Sequence, residues 1–167
     1  MRFLGSLVLS LVLASAPAFA GSLRLSAEPG KFNAKTLAAP TGDVSFRGTA
    51  RLLAFNSSPQ WPAASYIGIH QGTDRNDSVQ VLAIRNRPTD DYLVIGYRLV
   101  VGGKEVKVES LVNVPVDSSM RIDIRFKNGI ASIKVNDRET VEVRTPFKQV
   151  APYVSVSSGE AEFSIDF

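Results

Sequence analysis

From Met120 to Val135 apolar and polar residues take turns. Ile122, Ile124 and Phe126 alternate with Arg121, Asp123, Arg125 and Lys127, Asn128-Gly129 follows, and a second run extends from Ile130 to Val135. A period of two puts successive side chains on opposite faces of a strand. Asn-Gly supplies two residues that tolerate positive φ, as a type I′ turn requires, so the pattern predicts a hairpin with a two-residue loop. Counting outward from that loop, Phe126 opposes Ala131, Ile124 opposes Ile133 and Ile122 opposes Val135 on an apolar face. Asp123 opposes Lys134 on a polar one.

The same rhythm runs through the rest of the chain. Leu23 to Ala27 predicts a short strand, ahead of a loop through Pro29-Gly30 and Pro40-Thr41-Gly42. Asp43 to Phe55 predicts a long strand with Val44, Phe46, Gly48, Ala50 and Leu52 on one face. Ser57 to Ala64, with Pro59, Trp61 and Pro62, predicts a loop, because proline lacks the donor that a central strand needs. Strands follow over Ser65–Gln71 and Val79–Arg87. Gly102-Gly103 then folds Tyr92–Val101 onto Lys104–Val112, placing Leu99 against Val106, Tyr97 against Val108 and Arg98 against Lys107. A connection at Asn136-Asp137-Arg138 sets Val141 opposite Ile133 and Val143 opposite Ala131. Ser158-Gly159 predicts a last hairpin, Val154 with Phe163 and Val156 with Ala161. No stretch after residue 20 repeats apolar residues at helical spacing over three turns. The prediction is an all-β chain of roughly ten to twelve antiparallel strands, which needs two stacked sheets or a closed barrel to cover its apolar faces; the sandwich is favoured.

Composition changes this picture at the front end. Arg2, the apolar run Phe3 to Leu13 and Ala18-Phe19-Ala20 read as a signal peptide over residues 1–20, leaving one domain over 21–167. The expectation is an exported protein, periplasmic or extracellular and bacterial in style, with no membrane span once the leader is cleaved. Of 19 basic residues, 18 remain after Arg2 is lost, against 16 acidic ones, a net charge near +2. Basic and acidic residues are interspersed, so no nucleic acid is expected as partner. The chain has no Cys, which excludes disulfides, a thiol nucleophile and a cysteine metal site.

The segment Arg121 to Asn136, with the closing strand Ala161-Glu-Phe-Ser-Ile-Asp-Phe167, resembles the end of concanavalin A-like lectin/glucanase and laminin-G-like domains. That resemblance implies an antiparallel two-sheet β-sandwich, a jelly roll, whose bent sheet in many members holds a carbohydrate. It does not extend to hydrolysis. Retaining glucanases of this fold carry Glu-x-Asp-x-x-Glu on one strand, which places two carboxyls roughly 5 Å apart, and no such triplet occurs here.

Other chemistry is thinly represented. His70 is the only histidine, no Ser stands in a Gly-x-Ser-x-Gly elbow, and a zinc site from one His and no Cys is not expected. No cofactor is indicated; Asp74, Asn76 and Asp77 offer oxygen ligands for a Ca²⁺ ion, or else form a solvated turn. On the Ser65–Gln71 strand Tyr66, Gly68 and His70 share the face opposite Ile67 and Ile69. With Arg85, Arg87, Tyr92 and Arg98 taken to project outward from the following strands, this face is the candidate ligand surface. Aromatic rings there would stack on sugars, and guanidinium groups would reach hydroxyls or carboxylates. Gly68 and Gly96 would leave room for a ligand, and Trp61 is either an exposed platform or a plug over the sandwich. The expected partner is a glycan or cell-envelope polysaccharide; the alternatives are a wet sheet face on a structural or protein-interaction domain, and a polysaccharide lyase. For the lyase, Gly68-Ile69-His70-Gln71 is similar to the Gln-Ile-His strand of alginate-lyase-type members. That likeness implies His70 and a tyrosine as base and acid, but Gln is replaced by Gly68 and the companion strands are missing.

Overall fold

The computed structural model describes residues 20–58, 61–73 and 75–167. The leader therefore lies outside the described residues except for Ala20, as do Pro59 and Asp74. Ten strands follow in order: β1 (Gly21–Thr36), β2 (Asp43–Phe55), β3 (Ala63–Gln71), β4 (Asp77–Arg85), β5 (Tyr92–Val101), β6 (Lys104–Pro115), β7 (Met120–Lys127), β8 (Ile130–Val135), β9 (Val141–Arg144) and β10 (Ala151–Asp166). No helix occurs among the described residues, so none is long and apolar enough to cross a membrane.

Turn chemistry fixes the β7–β8 hairpin as the sequence predicts. Asn128 and Gly129 have φ of 52° and 75°. Phe126 pairs with Ala131, Ile124 with Ile133, Ile122 with Val135 and Asp123 with Lys134. β9 continues the face, Val141 opposite Ile133 and Val143 opposite Ala131.

β10 is where the sequence misleads. Ser158-Gly159 does not close a hairpin; β10 runs straight through it, so Val154 and Phe163 pair with other strands. The first half, Ala151–Ser157, pairs with β3, and the second, Gly159–Asp166, pairs with β2. β1 lies alongside both halves, and Pro29-Gly30 falls in an irregularity between Ala27 and Phe32 instead of ending the strand. β1 and β10 thus pass from one layer to the other. The first layer is β6-β5-β4-β3 with the front of β10, and the second is β9-β8-β7-β2 with its back. Their inner faces form one apolar cluster, including Ile67, Val81 and Ile95 from the first layer and Ile124, Ile133 and Phe163 from the second. At Gly48 of β2 a Cβ would lie 3.0 Å from Ile67 Cδ1 and 2.8 Å from Ile165 Cδ1, so the missing side chain is what lets the layers meet there.

The β5–β6 hairpin also departs from the predicted register. Its loop, Gly102-Gly103, is as expected, with Val101 opposite Lys104, but β6 carries an extra residue at Val106. Beyond it Leu99 faces Lys107, Arg98 faces Val108 and Tyr97 faces Glu109, one step from the apolar pairs predicted. A bulge of one residue exchanges the two faces of the strand. Val106 and Val108 therefore stand 63% and 62% exposed on an edge strand. The Tyr97 hydroxyl, reaching from the core to this edge, donates to Glu109 Oε2 at 2.6 Å. That bond, then the one from Lys107, hold the Glu109 carboxyl below the ordinary glutamate range. A depressed carboxyl favours the folded edge above the ordinary glutamate range, and the contribution is lost as pH falls through the lowered value. Tyr97→Phe is expected to return Glu109 toward its ordinary value, read from the pH titration of its carboxyl carbon by NMR.

Candidate functional site

Alternation along β3 puts Ile67 and Ile69 in the core and Tyr66, Gly68 and His70 on the opposite face. That outer face is not wet. Tyr66 and His70 are 5% and 3% exposed, and Ser78, Gln80 and Tyr153 beside them are also buried. Phe32 of β1 meets Tyr66 edge to face at 6.0 Å, and the Arg98 guanidinium lies 5.4 Å from the centre of the Tyr66 ring. Arg98 is itself fixed, its Nε donating to Gln80 Oε1 and its Nη1 to Glu105 Oε1, each at 2.7 Å.

Above this layer lies an open groove of about 490 Å³ whose walls include Phe32, Trp61, Tyr66, Arg75, Gln80 and Arg98. Trp61 is 45% exposed, a platform on the rim and not a plug. Three of the predicted residues, Trp61, Tyr66 and Arg98, therefore meet in one place. Phe32 and Arg75 join them from segments that read as loop and turn. Gln80 was accessible to alternation, since it stands between the buried valines Val79 and Val81 of β4.

The other predicted residues go elsewhere. Arg85 leaves the face of β4 that carries Val79, Val81 and Ala83, not the Tyr66 face; it lies 4.9 Å over the Phe55 ring and donates to the Asp90 carbonyl. Residues 81–84 are apolar on both faces, which hides which face is the core. Arg87 sits in the following turn, its backbone N–H bound to Asp90 Oδ2. Tyr92 is on the outer face but six residues from Arg98 along β5, roughly 20 Å at the rise of a strand. Neither glycine makes room for a ligand. A Cβ at Gly68 would lie 2.3 Å from the Val79 carbonyl oxygen and 3.1 Å from Tyr153 Cε1, and one at Gly96 would lie 2.5 Å from the Glu109 carbonyl oxygen.

His70 and Tyr153 do converge, with ring centres 5.3 Å apart at 83°, and His70 Nε2 is 3.1 Å from Thr36 Oγ1. The pair lies beneath the surface, and complete burial pushes the Tyr153 phenol well above its usual range, against the pull of Arg98 and Arg75. The turn before β4 is tied down by its polar atoms. Gly103 N–H donates to the Asn76 carbonyl and Gly102 N–H to Asp77 Oδ1. Among the described residues no three His, Asp or Glu side chains come together as a metal site, and Asp74 lies outside them.

No protein-family model matches this sequence. No curated protein matches it either. Solved structures do. A carbohydrate-binding module, CBM66, from Bacillus subtilis superposes with a TM-score of 0.58 over 87% of this chain and 92% of that one, at 10% identity. The potassium-bound carbohydrate recognition domain of Emp46p gives 0.53 over 85% and 82%, at 13% identity. The marine alginate lyase AlyA1 from Zobellia galactanivorans gives 0.51 over 80% of this chain and 62% of the lyase, at 12% identity. Two continuous strands shared between two antiparallel layers, and neighbours of this architecture across nearly the whole chain, identify the fold as the concanavalin A-like jelly-roll sandwich.

Proposed function

We propose that this protein is an exported, non-catalytic domain that binds a glycan in the groove over Tyr66. The observation that carries the reading is the groove itself, where Trp61 stands exposed beside Tyr66 and a guanidinium held in place by Gln80 and Glu105. Sugar rings present apolar faces that stack on aromatic rings and hydroxyls that bond to fixed polar groups. The fold it shares with a carbohydrate-binding module and a lectin domain supports this, and the leader read in residues 1–20 supports export toward a cell-envelope polysaccharide.

Titration calorimetry against a panel of oligosaccharides tests the site. A cognate glycan is expected in the millimolar to micromolar range, and Trp61→Ala should weaken it about fivefold, the loss of roughly 1 kcal/mol of stacking. Unchanged affinity in both Trp61→Ala and Tyr66→Ala would place binding elsewhere.

A second reading, a uronate lyase, draws on the approach of Tyr153 to His70. A substrate reaches neither ring while the side chains above them stay in place, so no release of unsaturated products from polyuronates, followed by ultraviolet absorbance, is expected.

A further inference from the structure

We infer that the groove prefers a negatively charged saccharide, one bearing carboxylate or sulfate groups; this rests on the glycan-binding reading above. The observation is a stack of four side chains drawn from four parts of the chain. Phe32 and Tyr66 pack edge to face, Arg75 lies over the Phe32 ring at 5.2 Å and Arg98 over the Tyr66 ring at 5.4 Å. Two guanidinium groups are thereby brought to one groove. The carboxylate among its described lining residues is Glu105, and it is engaged with Arg98. Arg75 makes no ion pair among the described residues.

Two cations gathered around one acid give the described lining of the groove a net positive charge. On the outer face of the second layer the arrangement differs, for Arg47 is met by Asp123 and Arg121 by Asp137. Stacking on a ring holds a guanidinium flat without using its N–H groups. Arg98 donates two of its five N–H groups to Gln80 and Glu105, and a planar fork of this kind matches a carboxylate or sulfate in bidentate fashion. Trp61, exposed on the rim beside these cations, is the surface on which a sugar would stack, so a single acidic residue of a polysaccharide would satisfy both halves of the site.

Calorimetry with three hexasaccharides of matched length separates the possibilities: oligogalacturonate, the same oligomer with its carboxyls reduced to alcohols, and a sulfated galactan fragment. At least one acidic oligomer is expected to bind about tenfold more tightly than the reduced one, an advantage that shrinks as salt is raised. Which acidic oligomer shows it tells carboxylate from sulfate. Arg75→Gln should remove most of that advantage by weakening the acidic oligomer far more than the reduced one, with thermal unfolding confirming that the variant is folded. Equal binding of acidic and reduced oligomers overturns the charge preference while the glycan reading stands. Persistence of the preference in both Arg75→Gln and Arg98→Gln removes it from this groove. Failure of all three oligomers and of the wider panel takes the glycan reading down as well.

Discussion

Phe163→Ala is expected to lower the stability of the domain by about 3–5 kcal/mol, the range for removing a buried phenylalanine ring. Phe163 is fully buried, flanked by Leu23 on β1 and Ala50 on β2, and belongs to the cluster that joins the two layers. Ala50 is held between β10 and β7, so it cannot collapse into the space left. For a domain whose whole stability is of order 5–15 kcal/mol this is a large fraction. The midpoint of urea unfolding should fall accordingly, with an unchanged slope. Phe167→Ala, at a side chain that is 44% exposed, is the matched control and should cost under about 1 kcal/mol. Similar costs at the two positions would mean that β10 is not the strand on which both layers close.

Gly159→Ala should be the most disruptive of the small substitutions. The added Cβ would lie 2.2 Å from the carbonyl oxygen of Ala54, and a backbone atom in a ladder has no rotamer by which to withdraw. The neighbouring Ser158, at φ 45°, is where β10 leaves β3 for β2; its Oγ accepts from Gly30 N–H and its carbonyl from Asn56 N–H. Displacing this junction strains both layers together. The expected cost is about 2–3 kcal/mol, a fall in Tm of roughly 4–12 °C for a domain of this size. A variant that melts with the parent would contradict the close crossing.

These two positions also mark where the sequence stops being legible. Asn128-Gly129 could be read because both residues must take positive φ and the flanking alternation leaves one register that buries Ile122, Ile124 and Ile133 together. Ser158-Gly159 looks the same locally, yet its glycine answers to the approach of Ala54, a residue over a hundred positions away, and no local pattern reports that. The bulge at Val106 is hidden for another reason. On an edge strand few contacts penalise an exposed valine, so the apolar pairing that the sequence suggests is not enforced. In the site, Tyr66, Trp61 and Arg98 were legible from alternation and from a tryptophan between prolines. Phe32 and Arg75 were not, because each enters the groove from a segment punctuated by glycine, and their meeting is a property of the folded chain. His70 was read correctly as facing away from the core, but its burial comes from side chains of β1 and β10, which period two on β3 cannot foresee.

The emission of Trp61 tests the central claim most directly, because it is the single tryptophan in the chain and stands on the rim of the groove. With an oligosaccharide whose binding is followed by calorimetry, its fluorescence should move to shorter wavelength and its quenching by iodide should fall. Both changes should saturate at the calorimetric midpoint. Saturated binding with an unshifted spectrum and undiminished quenching would place the glycan somewhere other than this groove.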